Sequence, residues 1–129
     1  WHRRQTKMAR LLIVDDKPSN RELLRTALEH AGHEIREAED GASTLTVMRE
    51  WRPDLVLMDI QMPGLDGYAV LERVLADPDL CQIPLIAVTA YAMQGDSQRG
   101  RQAGFRDYLT KPVQFRQLLA AVDRQLKGE

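Results

Sequence analysis

Cysteine is almost missing from this chain of 129 residues, and the lone Cys81 excludes an internal disulfide and fits a reducing compartment. An excess of either charge is missing too. Eighteen Lys and Arg against 19 Asp and Glu leave a net charge of −1, which gives no electrostatic reason to expect nucleic acid or an anionic membrane as a direct partner. No apolar run nears the ~18 residues that a membrane span needs. The opening ten residues carry Arg3, Arg4, Lys7 and Arg10 without an apolar core, so they do not make a signal peptide. These absences leave a cytoplasmic protein as the expectation. Its length suits one domain able to bury its own core. Residues 1–8 are expected to be a tail, with Met8 a candidate natural start, and residues 9–127 to be the folded unit.

The stretch that organises the rest is D-L-V-L-M-D-I-Q-M-P-G-L-D-G, residues 54–67. Its apolar run, residues 55–58, ends on a single carboxylate, Asp59, before a turn through Pro63 and Gly64. Such a run bounded by turn residues suits a strand buried on both faces of a parallel sheet. Residues 11–14 form a second run, ending on Asp15 and Asp16. Residues 85–88 form a third, ending on Thr89. Two mixed stretches, 33–37 and 105–109, read as edge strands.

Helical patterns separate the five. Leu23, Leu24, Ala27, Leu28 and Ala31 share one face, with Pro18 near the start and Gly32 just past the end. Leu45 and Met48 give a short second helix, and Tyr68, Leu71, Val74 and Leu75 a third. A fourth, around residues 93–102, is weakened by Gly95 and Gly100, each costing roughly 1 kcal/mol against Ala. Phe115, Leu118, Leu119, Val122 and Leu126 make the fifth. Five βα units with right-handed crossovers and mixed edge strands give an α/β fold: a flavodoxin-like (βα)5 doubly wound parallel sheet, strand order 2-1-3-4-5. That order brings Asp15, Asp16 and Asp59 to one crevice at the carboxyl ends of neighbouring strands, with Thr89 beside them and Lys111 able to reach back.

Three crowded carboxylates repel one another unless a cation or protons intervene. Mg2+ suits them, being a hard cation bound by one or two carboxylates that also takes phosphate oxygens. A carboxylate is a competent nucleophile towards phosphorus. A transferring phosphoryl group needs its oxygens neutralised by metal, ammonium and hydrogen-bond donors. Asp15, Asp16, Asp59, Thr89 and Lys111 together supply every part.

The motifs L-L-I-V-D-D-K-P-S-N (11–20), L-V-L-M-D-I-Q-M-P-G-L-D-G (55–67), I-A-V-T-A (86–90) and Y-L-T-K-P-V (108–113) resemble those of the receiver domain of two-component response regulators. The resemblance covers about residues 9–126, departs from the family at no required position, and is greatest to stand-alone receivers and those attached to hybrid kinases. It implies Asp59 as phosphoryl acceptor and Asp16 as a direct Mg2+ ligand, with Asp15 acting mainly through water. The backbone carbonyl of Gln61 is implied as a further ligand. Thr89 would bind a phosphoryl oxygen and Lys111 would pair with the phosphate. Tyr108 matches the aromatic whose rotamer accompanies activation, and Lys111-Pro112 matches a cis bond. Gln61 and Tyr91 are expected to border the path of the water that removes the phosphoryl group. The implied partners are a sensor histidine kinase or histidine phosphotransfer protein upstream. Downstream, a protein would bind the face of the fourth helix, fifth strand and fifth helix, about residues 93–125. Catalysis would be limited to the chain's own phosphorylation and dephosphorylation.

Blander roles compete for single residues. Asp15 and Asp16 could cap the first helix, Tyr108 could be a static core aromatic, and Asp66 a helix-start residue. Asp40 and Asp54 read as loop and strand-start residues. His30, near a helix end, and His33, opening an edge strand, do not read as phosphohistidines. Cys81, in a loop with no His in view, reads as inert. A haloacid-dehalogenase-type phosphatase would need a second acid where Gln61 stands. A flavodoxin-like redox module would need a Ser/Thr/Gly-rich phosphate loop where the two aspartates stand. A phosphorylation-independent interaction module, a pseudo-receiver, remains the alternative, and uptake of a phosphoryl mimic by Asp59 discriminates it. The chain stops about three residues after its last helix, leaving a whole single-domain regulator and an excised piece equally open.

Overall fold

The computed structural model describes residues 8–90 and 95–128. Residues 1–7 of the expected tail, and the expectations for Tyr91 and for the start of the fourth helix at Met93, lie outside the described residues. The elements alternate strictly: β1 (Arg10–Val14), α1 (Pro18–His30), β2 (Glu34–Ala38), α2 (Gly41–Trp51), β3 (Leu55–Met58), α3 (Gly67–Ala76), β4 (Leu85–Thr89), α4 (Asp96–Ala103), β5 (Asp107–Thr110) and α5 (Phe115–Leu126). All four pairings are parallel, and the sheet order is β2-β1-β3-β4-β5. The expected doubly wound order is therefore the observed one.

The continuous apolar runs are central strands because both of their faces are covered. On one face Leu12, Val14, Val56, Met58, Leu85 and Ala87 pack with Met48 and Trp51 of α2 and Val70 and Val74 of α3. On the other, Leu11, Ile13, Leu55, Leu57, Ile86 and Val88 pack with Leu24 and Leu28 of α1 and Leu118 and Val122 of α5. Alternate residues of each strand thus feed two separate cores, as the period of two requires.

Three residues assigned to apolar helix faces lie largely outside. Leu23, Leu75 and Phe115 are about half exposed, because each sits at the margin of an arc whose centre (Leu24, Val74 and Leu118) takes the sheet contact. The second helix is also longer than its two apolar markers suggest, spanning 11 residues. Asp40, read as a loop residue, is its N-cap and accepts from the Ser43 N–H at 2.8 Å. Asp66 does the same for α3, accepting from Ala69 N–H at 2.9 Å. Past α1, Gly32 takes φ +98, a conformation that glycine adopts without a Cβ penalty. His33 is buried, and its Nδ1 accepts from the Ala9 N–H at 3.2 Å. Burial holds its imidazole below the usual histidine value, against the pull of Asp123. A buried neutral acceptor is the opposite of an exposed phosphorylatable ring.

The turn after β3 is fixed by close backbone approach. Gly67 opens α3 with its N–H donating to Ile60 O at 3.0 Å. A Cβ there would lie 2.7 Å from Ile60 Cα and 3.0 Å from Asp59 O. Backbone atoms cannot step aside cheaply, so the Gly67→Ala variant is expected to lose about 1–3 kcal/mol in denaturant unfolding. Stability unchanged from the wild type would show that the turn is looser than this.

Candidate functional site

Every candidate group hangs from a strand end, and backbone hydrogen bonds tie those ends together. Asp15 N–H donates to Ala38 O at 3.2 Å, Asp59 N–H to Val14 O at 2.9 Å, and Lys111 N–H to Thr89 O at 2.8 Å. The carboxyl ends of β2, β1 and β3 are thereby linked, as are those of β4 and β5, and side chains leaving them converge. Asp15, Asp16 and Asp59 each offer an oxygen within 4.8 Å of the others. Asp16 and Asp59 border an open cleft of about 570 Å³ lined further by Lys17, Gln61, Tyr68, Arg99 and Lys111.

Lys111 is the counter-charge. Its Nζ donates to Asp15 Oδ2 at 2.7 Å and to Asp59 Oδ2 at 3.0 Å. The remaining oxygens are turned to backbone donors: Gln61 N–H reaches Asp59 Oδ1 at 2.9 Å and Lys17 N–H reaches Asp15 Oδ1 at 2.9 Å. Asp15 therefore serves the turn into α1 and the cluster at once, while Lys17 holds the N-cap position without a side-chain cap bond. Burial pushes the Asp59 carboxyl above its ordinary value. The Gln61 N–H and Lys111 oppose that shift without cancelling it, and Asp15 adds to it. For Lys111, burial pulls the ammonium down, but its hydrogen bonds to Asp15 and Asp59 outweigh that and the net displacement is upward. The upward displacement of Lys111 keeps a positive charge beside Asp59. Three carboxylates form an all-oxygen donor set, which suits a hard divalent cation.

Thr89, 0% exposed, ends β4, but its neighbour Ala90 is the one that lines the cleft. Tyr108 is 8% exposed, and its ring lies close enough to α4 that a Cβ on Gly100 would meet Tyr108 Cδ2 at 2.7 Å. The glycine read as a weakness of the fourth helix is thus the space into which the tyrosine fits. The Lys111-Pro112 bond is cis, as the resemblance implies. Cys81 is partly exposed, with its Sγ donating to Pro78 O at 3.7 Å.

Sequence reasoning missed Asp107, counted only as a polar break in an edge strand. It is 4% exposed and accepts from Arg101 of α4 at 3.0 Å, from the Tyr108 N–H at 3.0 Å and from Arg124 of α5. One carboxylate therefore ties both helices to the strand that carries Tyr108. Two arginines at the right distance along the chain were the available signal, and nothing in β5 itself distinguishes them from solvated charges.

A parallel sheet in this order, with an acidic, lysine-bridged cleft at its carboxyl edge, defines a flavodoxin-like signalling domain. The chain belongs to the response regulator receiver domain family, which it matches over residues 11–123. It is 42% identical over 121 residues to protein PilH of Pseudomonas aeruginosa, covering 94% of this chain and all of that protein. It is 40% identical over 116 residues to the polar-differentiation response regulator DivK of Brucella anthropi, covering 90% of this chain and 94% of that protein. The receiver domain of a sensor histidine kinase from Pseudomonas aeruginosa superposes with a TM-score of 0.83 at 32% identity. That comparison covers 95% of this chain and 100% of the other, whose structure holds a magnesium ion in the active-site cleft. Receivers are signalling switches of two-component systems rather than enzymes acting on other substrates. Among the described residues no helix is long and apolar enough to cross a membrane.

The raised Asp59 carboxyl has a stability consequence whose sign is fixed. A carboxyl with a folded value above its unfolded one favours the fold most below the unfolded value, and that advantage is lost as pH rises through the folded value. At neutral pH, without divalent cation, Asp59→Asn is expected to melt higher than the wild type, with the gap closing as the pH falls towards 4. A variant that melts lower at neutral pH would contradict the burial of an ionised Asp59.

Proposed function

We propose that this receiver, residues 9–127, is a cytoplasmic phosphoryl-accepting switch whose acceptor is Asp59. The observation that carries the reading is the single ammonium of Lys111 shared by Asp59 and Asp15 at the mouth of an acidic cleft. The donor is a phosphohistidine on a sensor histidine kinase or a histidine phosphotransfer protein. An Asp59 oxygen bonds to phosphorus as the N–P bond breaks, and the imidazole keeps that electron pair and takes a proton from solvent. Lys111 then turns from the carboxylates to a phosphoryl oxygen, and the hydroxyl of Thr89 donates to another. Asp16, Asp15, Asp59 and the backbone carbonyl of Gln61 would hold Mg2+, with Asp15 acting mainly through water. When bound, the ion offsets negative charge on the transferring oxygens and on the acids. The magnesium in the cleft of the kinase receiver described above supports that assignment.

The phosphoryl group adds about −1.5 to −2 charges and three acceptor oxygens at a site already rich in carboxylate. Movement of Thr89 towards it would open space beside Tyr108. The ring's fit against Gly100 couples that space to α4, and the Asp107 ion pairs couple α4 to α5. The α4–β5–α5 face is therefore the surface offered to a downstream protein. A shift of population between two forms of this face requires only that the phosphoryl contacts differ between them.

Intact mass after incubation with acetyl phosphate, with and without Mg2+, tests the acceptor in the wild type and in Asp59→Asn. One Mg2+-dependent phosphoryl adduct, absent from the variant, is expected. No adduct under any condition would replace this reading with a phosphorylation-independent interaction module, and an adduct that survives Asp59→Asn would move the acceptor elsewhere.

A further inference from the structure

Arg21 stands near the start of α1 with its side chain only 13% exposed and its guanidinium engaged at both ends. Nη1 donates to Asp15 O at 2.6 Å, and Nε donates to Glu37 Oε1 at 2.8 Å. The second Glu37 oxygen accepts from Arg25 Nη1 at 2.6 Å. Burial pushes the Glu37 carboxyl up, but the hydrogen bonds from Arg25 and Arg21 outweigh it and hold the group below its ordinary value. An ionised Glu37 on β2 is therefore a fixed anchor for Arg21.

The oxygen that Arg21 grips belongs to the peptide group joining Asp15 to Asp16. Peptide planarity means that holding this oxygen also holds the amide of Asp16 and the Cα that carries its carboxylate. The Asp15 and Asp59 carboxylates are each fixed by Lys111 and a backbone N–H. Asp16 is different: it is half-buried, and its carboxylate makes no hydrogen bond or ion pair among the described residues. Its position against Asp59 depends on the backbone.

We propose that Arg21, tied to Glu37, is a positioning residue for the acidic cluster: it sets the 15–16 peptide so that Asp16 faces the cation. The inference rests on the Mg2+ reading of the site. Losing such an outer partner typically weakens metal binding by about 10–100-fold, and a grip on the backbone one bond-chain away from the ligand atom belongs at the low end. Arg25 provides the control, since it shares Glu37 and carries the same charge but does not touch Asp15.

Mg2+ titration followed through backbone amide NMR shifts, in wild type, Arg21→Gln, Arg21→Lys and Arg25→Gln, reads the effect without any phosphoryl transfer. Arg21→Gln is expected to weaken Mg2+ about tenfold while Arg25→Gln stays within about twofold of the wild type. Arg21→Lys keeps the charge but can reach only one of the two partners, so it should fall between them, and it keeps the test open should Arg21→Gln fold poorly. Equal weakening in Arg21→Gln and Arg25→Gln would reduce the effect to lost charge and overturn the proposal, as would wild-type affinity in Arg21→Lys. A wild type whose amides do not respond to Mg2+ would instead remove the metal reading of the site, and this inference with it.

Discussion

The ammonium of Lys111, shared between Asp15 and Asp59, is the interaction on which the site depends. Each carboxylate sits at the end of a central strand, almost without solvent, where an unpaired charge is costly. Neither can leave, because both main chains are bonded into the sheet edge. Sharing one cation between two acids relieves repulsion while leaving the cluster short of positive charge. Burial, with a smaller contribution from Asp15, displaces the Asp59 carboxyl upward against the pull of the Gln61 N–H and Lys111, and a divalent cation or a redirected Lys111 would respond to it. The site is thus poised by the fold to change when charge is added, which is what a switch requires.

The same strand ends carry the consequences outward. Lys111 follows β5, and β5 holds Tyr108 and Asp107 on its other residues. Asp107 grips α4 through Arg101 and α5 through Arg124, while the Tyr108 ring fills the notch left by Gly100. A displacement at Lys111 or Thr89 therefore meets a surface whose two helices are pinned to one strand by one buried carboxylate. On the opposite flank, Arg21 and Glu37 tie the β1–α1 turn to β2.

Much of this architecture is legible in the chain itself. The three continuous runs read as strands covered on both faces, and in the expected strand order their polar last residues meet at the switch point. Resemblance then supplied roles and the cis Lys111-Pro112 bond. What stayed hidden depends on partners brought together only by folding. Asp107 looks like a break in an edge strand until Arg101 and Arg124 arrive. Arg21 looks like a solvated helix residue until the Asp15 carbonyl and Glu37 are seen on either side of it. Gly100 reads as a helix flaw because its use is the approach of a ring from another element. Leu23, Leu75 and Phe115 misled for a simpler reason: helical periodicity identifies a face but not where its margin meets solvent.

The most direct test of the account is the carboxyl pKa of Asp59, measured by carbon NMR in the metal-free wild type and in Lys111→Met. A value above the ordinary aspartate range in the wild type, rising further when the ammonium is removed, is the expected result. A wild-type value in the ordinary range, or one indifferent to loss of Lys111, would contradict the claim that a single shared cation balances the cluster.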